Sequence, residues 1–233
     1  MPIAKFYKSV DLEPLAGGEG WSLLLDGKPA RTPKRALLAS PTQELGQAIA
    51  AEWRDAPDPF EPTALRLTRL LSTALDRAAE APTWRKEILR YLNTDYICYP
   101  ADKPDALVAR QNEIWSPLRG WFSERFGVAL RIASGFTVAE QDPKLMNAAD
   151  TDLTSRTDLE LVAIKAACEV TGSAVLAFYL ADYPERLSDV WRAARLDEDY
   201  QIEQWGEDEE ASERAENLYT DLKAAATVIA KLR

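Results

Sequence analysis

Pro57, Pro59 and Pro62 constrain this chain more than any other feature. Each proline removes a backbone donor and fixes φ, so neither an α-helix nor a central strand continues through all three. They read as a stiff connector, and the period of the apolar residues changes across it. A domain boundary is expected there. It would separate a β-rich N-terminal domain with one helix (residues 1–62) from a larger helical C-terminal domain (residues 63–233). The expected fold class is α+β.

Upstream of the prolines the chain reads as strands and tight turns. Lys5 to Leu12 is extended in character, Gly17-Gly18-Glu19-Gly20 interrupts it, and Trp21 to Leu25 resumes an apolar run. Asp26-Gly27 between Leu25 and Lys28 is the residue pair a two-residue hairpin turn requires. Pro29 and Pro33 confine the residues around them to an edge strand or loop. A helix is then expected, with Ser40 as its cap, Pro41 in its first turn and Gln43 completing a capping box. Leu45, Ala48, Ile49 and Trp53 would share its buried face.

Downstream, helical spacing dominates. Leu67, Leu70, Leu71, Ala74, Leu75 and Ala78 form one stripe, and Trp84, Ile88, Tyr91 and Leu92 form another. Leu107, Gln111, Ile114 and Leu118 continue at this spacing, with Pro117 expected to split the segment into two helices. Gly127 should end the second of them. Val128, Leu130 and Ile132 alternate as a short strand would. Thr157 and Glu160 suit a capping box for a helix running toward Leu180. Another helix is expected after Pro184. The last carries Ala211, Ala215, Leu218, Leu222, Ala225, Ile229 and Leu232 on one face.

Composition then removes whole classes of function. With 233 residues, 46% of them hydrophobic, the chain can bury a sizeable core. Histidine is absent, which excludes Ser-His-Asp and Cys-His nucleophiles and imidazole metal sites. Cys98 and Cys168 are too few for a four-thiolate zinc site and read as small buried apolar residues in a reducing compartment. A net charge of −10 argues against nucleic acid and anionic membrane partners. Leu161 to Leu180 is the most lipid-like stretch, but Lys165 and Glu169 sit within it, so it reads as a buried helix rather than a membrane span. The glycines at 17–20 and 27 do not have P-loop spacing, and no cofactor is implied. The N-terminus has neither an apolar h-region nor an Arg/Ser-rich leader, which points to the cytoplasm.

The negative charge is concentrated between Asp197 and Glu216, where ten acids face one base, Arg214. Glu207, Asp208, Glu209 and Glu210 follow Gly206 directly, where a helix N-terminus would stabilise some of them. One helix end does not need ten acids, and close like charges cost stability, so some should meet a cationic partner. Trp205 lies inside this stretch, whereas Trp53, Trp84, Trp115 and Trp121 lie on apolar stripes. An aromatic ring among carboxylates suits a protein-binding surface. A carboxylate-based metal enzyme using Asp199, Glu203 and Glu207 is the competing reading of the Asp197–Glu210 stretch.

A set of short motifs, in order along nearly the whole chain, resembles one known family. They are Lys5-Phe6-Tyr7-Lys8, Leu25-Asp26-Gly27-Lys28, Thr32-Pro33-Lys34, Leu45 through Glu52-Trp53, Leu67-Thr68-Arg69-Leu70, Thr94-Asp95, Gln111 with Trp115, and Tyr200-Gln201 leading into Trp205-Gly206-Glu207-Asp208-Glu209. The family is the assembly chaperones that bind the alpha subunit of F-type ATP synthase. Leu65-Arg66 stands where family members often carry Met-Pro. The resemblance implies a non-enzymatic protein of β-rich N-terminal and helical C-terminal parts. Such a protein holds the unassembled alpha subunit, shields its interface and releases it on assembly. It implies a functionally sensitive acid after the Trp-Gly pair, which falls on Glu209. The expected partner-binding residues are Glu209 with Gln201, Trp205, Glu207, Asp208 and Glu210. Without the presequence of mitochondrial members, a bacterial cytoplasmic protein is expected.

Overall fold

In the first forty residues the Asp26-Gly27 pair decides the geometry. Both residues have positive φ, 50° and 73°, which is the turn whose twist matches that of paired strands. The turn joins β2 (Trp21–Leu25) to β3 (Lys28–Pro29). On its other side β2 pairs antiparallel with β1 (Val10–Pro14), Val10 opposite Leu25 and Pro14 opposite Trp21. A fourth short strand, β4 (Ala39–Ser40), also pairs with β2. The Asp26 carboxylate accepts 2.8 Å bonds from the backbone N–H groups of Lys8 and Ser9, and these hold its pKa below the usual value. This structure is a computed structural model, and it describes residues 1–133, 140–206 and 208–233.

Helix α1 (Gln43–Asp55) covers the sheet. Its Gly46 sits so close to β1 that a Cβ there would lie 2.9 Å from the Leu12 side chain. The cap is Thr42, not the expected Ser40: Thr42 Oγ1 accepts from Leu45 N. Ser40 is held by its place in β4, and its hydroxyl donates to the Thr42 carbonyl at 2.6 Å. The helix stops before Pro57, as its residue types require.

Helices α2 (Arg66–Asp76), α3 (Ala81–Asn93), α4 (Asp105–Phe126) and α5 (Pro143–Thr154) follow. Ala78 falls outside α2, in a following 3-10 turn. Helix α4 runs unbroken through Pro117, against expectation. Pro117 is exposed, while Gln111, Trp115, Leu118 and Phe122 on the opposite face are buried, and that packing outweighs one missing hydrogen bond. Gly127 ends α4 with φ 66°. Residues 128–133 form no strand; the Ala133 N–H bonds to the Cys98 carbonyl instead.

The expected long helix toward Leu180 is two helices, α6 (Asp158–Thr171) and α7 (Ala174–Asp182). Gly172 ends the first in the left-handed conformation, and Ser173 caps the second. Thr157 and Glu160 do form the expected capping box. Both helices are buried along most of their length, and α2, α3 and α10 pack against α6. The chain ends with α8 (Leu187–Ala194), α9 (Leu196–Trp205) and α10 (Glu209–Lys231). The architecture is α+β, a small antiparallel sheet followed by a large helical part. Among the described residues no helix is long and apolar enough to cross a membrane.

Two carboxylates make the joints. Glu52, near the end of α1, accepts from the N–H groups of Leu67 at 2.7 Å and Thr68 at 3.0 Å, capping α2 from outside. Burial raises the Glu52 pKa, and these bonds oppose the rise. Next to it, Trp53 Nε1 donates to Thr68 Oγ1 at 2.8 Å. Asp95 is fully buried and accepts from Ser173 Oγ and Val175 N, both at 2.9 Å, at the start of α7. Several residues of the sequence motifs therefore touch: Glu52-Trp53 meets Leu67-Thr68, and Thr32 and Lys34 meet Asp76.

Candidate functional site

The acidic stretch divides into two parts with different surroundings. Its first part lies on α9, where Asp199 and Glu203 each meet an arginine and Asp197 meets a glutamine. Arg110 of α4 reaches Glu203 with two nitrogens at 2.7 and 2.9 Å, which lowers the Glu203 pKa. The same guanidinium stacks over Tyr200, 5.3 Å from the ring centroid. Arg195 pairs with Asp199 at 3.1 Å. Gln111, 1% exposed, donates from Nε2 to Asp197 at 2.7 Å and accepts from Ala101 N through Oε1. These contacts clamp α9 onto α4.

The second part projects. Gly206 turns the chain with φ 92°, a conformation other residues rarely adopt. Asp208 caps α10, accepting from Glu210 N. Glu209 and Glu210 open that helix, where its dipole stabilises negative charge. Trp205 is 80% exposed. Gln201, Asp208, Glu209 and Glu210 are exposed as well. Asp208, Glu209 and Glu210 form no ion pair among the described residues. Glu207 lies outside the described residues. The described members of the expected partner-binding set, Trp205, Asp208, Glu209 and Glu210, thus lie around the α9–α10 junction, with Gln201 lower on α9.

Two expectations change. The acidic stretch does not lie on one helix, because Gly206 separates α9 from α10. Asp199 and Glu203 each face an arginine rather than converging on a shared cation site, and no cluster of possible metal ligands occurs among the described residues. Of the tryptophans, Trp84 and Trp115 are core residues, but Trp53 and Trp121 are only half-buried. The sequence reading missed the anchors Arg110, Arg195 and Gln111. For Gln111 the signal was present: a polar residue in an otherwise apolar helical stripe.

The fold, a small sheet followed by a large helical body, agrees with the comparisons. The family model described as ATP12 chaperone protein matches residues 4–123, and the chain belongs to that family. It is 24% identical over 202 residues to the mitochondrial protein atp12 of Schizosaccharomyces pombe, covering 81% of this chain and 69% of that one. Its fold matches the Atu1473 protein, a candidate chaperone from Agrobacterium tumefaciens, with a TM-score of 0.94 and 35% identity over 100% of this chain and 87% of that one. Atp12 from Paracoccus denitrificans superposes with a TM-score of 0.89 at 30% identity, over 99% of this chain and 98% of that one. An aspartate-to-lysine mutant of the same Paracoccus protein matches equally.

Proposed function

We propose that this chain binds the unassembled alpha subunit of F-type ATP synthase in the bacterial cytoplasm and does so without catalysis. Membership of the ATP12 chaperone family carries the reading. The exposed tip supports it: Trp205 supplies apolar contact area, and the unpaired acids Asp208, Glu209 and Glu210 supply orientation and on-rate toward basic groups of the client. The protein would shield a surface that the beta subunit later covers, and release would follow from competition for that surface. The reading treats residues 1–62 and 63–233 as two domains joined through the Glu52 cap on α2.

The experiment is a binding titration with isolated alpha subunit, without nucleotide. Glu209→Lys should weaken binding by about 2–5 kcal/mol, the cost of leaving a desolvated cation unpaired. It should change folding stability by less than about 1 kcal/mol. Glu209→Gln should be milder, and wild-type affinity should fall with added salt. Equal binding by wild type and Glu209→Lys at low ionic strength would remove the tip from the interface. Alpha subunit diluted from denaturant should scatter less light in the presence of the protein; unchanged scattering at several-fold excess would refute the chaperone role.

A further inference from the structure

The side of the molecule built from the N-terminal segment, the β3–β4 loop and α2 has the opposite character to the acidic tip. A groove of about 620 Å³ opens between the Arg31–Lys34 loop and α2. Its floor is apolar, with Leu38, Phe60 and Leu65 buried beneath it and Trp53 forming one wall. A second cavity of about 440 Å³ shares Arg31 and Trp53 with the first and extends the depression past Phe6. Phe6 is 65% exposed and Ile3, at the other end, is 39% exposed. The rings of Phe6, Tyr7, Trp53 and Phe60 pack edge-to-face, with Trp53 5.3 Å from Tyr7 and 6.0 Å from Phe60. These are rigid surfaces, able to bind without ordering flexible side chains.

The rim is basic. Lys28, Arg31 and Lys34 are exposed, and among the described residues none of their side-chain nitrogens forms an ion pair within 4 Å. Arg31 Nη1 and Lys34 Nζ donate to backbone carbonyls, those of Arg35 and Asp76. The walls hold two carboxylates: Asp76, engaged by the Thr32 hydroxyl at 2.5 Å and the Lys34 N–H at 3.0 Å, and Asp26 beside Lys28, which accepts from the Lys8 and Ser9 N–H groups. Three exposed cations without a close ion pair beside an apolar trough, in a chain of net charge −10, define what complements it. The complement is a segment with apolar side chains to fill the floor and carboxylates to meet the rim.

We propose that this trough is a second client-binding site, which takes an extended acidic and apolar peptide segment. It rests on the chaperone reading only for the source of that segment, the client. Arg69, on the groove wall, pairs with Asp221 of α10. Glu210 lies eleven residues before Asp221, about 20° away around the helix. The trough and the tip are thereby linked along one face of α10, so one client can engage both. A client held at a basic trough and an acidic tip has its orientation fixed, because exchanging the two contacts would set like charges against each other.

The test uses the full chain and three labelled decapeptides of the same apolar pattern, alternating with Glu, Gln or Lys. Fluorescence anisotropy gives affinity, and the Trp53 indole N–H signal in a ¹⁵N spectrum, assigned with Trp53→Phe, gives location. The Glu peptide should bind, shift the Trp53 signal and weaken with salt. Arg31→Glu/Lys34→Glu, with an unchanged melting temperature, should weaken it at least tenfold, and the Lys peptide should not bind. No binding of the Glu peptide, equal binding of the Gln peptide, or a fixed Trp53 signal would overturn the proposal. A Trp53 signal that moves with protein concentration alone would also overturn it, in favour of a second copy as occupant. The double variant is then titrated with alpha subunit. If it binds as well as wild type, the trough falls and the chaperone reading stands. If wild type itself does not bind alpha subunit, the chaperone reading falls and the peptide data still decide the trough.

Discussion

Two carboxylate clusters in this molecule have nearly the same composition and opposite surroundings. Between α4, α5, α6 and α7, Asp152, Glu160 and Asp182 meet Arg125 and Arg156, with separations from 2.6 to 3.5 Å and every side chain 16–24% exposed. At the tip, Asp208, Glu209 and Glu210 face solvent and find no arginine or lysine among the described residues. Asp95 adds a third case, a fully buried carboxylate satisfied by hydrogen bonds at a helix start, with no cation. Local composition does not separate these cases; the helices packed against each cluster do. Where the fold supplies the counter-charge, carboxylates hold helices together. Where it does not, they stay solvated and open to a partner's charge, which a joint is not.

Removing the counter-charge from the closed cluster should have the largest effect. Arg125 also lies over the rings of Phe126 and Phe178, at 4.5 and 5.5 Å. Arg125→Ala should cost about 3–5 kcal/mol of stability in equilibrium urea unfolding, because Asp152 and Asp182 are left to share Arg156 alone and the ring contacts of the guanidinium are lost as well. A loss below about 1 kcal/mol would mean that solvent already screens the cluster and that it differs little from the tip.

Asp95 tests the buried case through pH. Burial raises its pKa to about 6 from 3.8, against the pull of bonds from Val175, Ser173 and Ile97. The folded state therefore binds the proton more tightly than the unfolded state. The resulting stability is complete below the unfolded value and is lost as pH rises through about 6. Wild type should therefore lose about 3 kcal/mol relative to Asp95→Asn between pH 2.5 and pH 7.5, most of it above pH 4. A difference that stays constant over that range would place the Asp95 pKa near its ordinary value.

The open cluster should give the smallest stability effects. Asp208→Ala removes a helix cap and should cost about 1 kcal/mol, and Trp205→Ala should stay within about 0.5 kcal/mol. A Trp205→Ala loss above about 2 kcal/mol would mean that the ring packs against the protein and is not free for a partner.

Local chemistry decided which features the sequence disclosed. The Asp26-Gly27 turn, the Thr157–Glu160 capping box and the Gly127 stop depend on a few adjacent residues, and each was legible. The continuity of α4 through Pro117 was not, because it depends on what the far side of the helix packs against. The Gly172-Ser173 break was written as a stop followed by a cap, but the unbroken apolar character around it concealed the boundary. At the site, exposure of Trp205 could be inferred from its acidic neighbours. The division of the acids between α9 and the tip could not, since Arg110 lies 93 positions from Glu203 in the chain. The trough was also out of reach, being assembled from segments around Phe6, Arg31, Trp53 and Arg69.

Helix α10 has a mechanical consequence. Its 23 residues make a rod about 35 Å long. The burial is uneven: Leu222 through Ile229 lie in the core, while the residues from Glu209 to Glu216 are mostly exposed. A force applied at the tip therefore travels along a stiff lever. Its fulcrum is the Arg66 and Arg69 contact at Asp221, and its far end is clamped where Thr42 bonds to Lys231. Bending should be confined to the free arm, so a load at the tip can tilt or tug on it without loosening the helices that form the core.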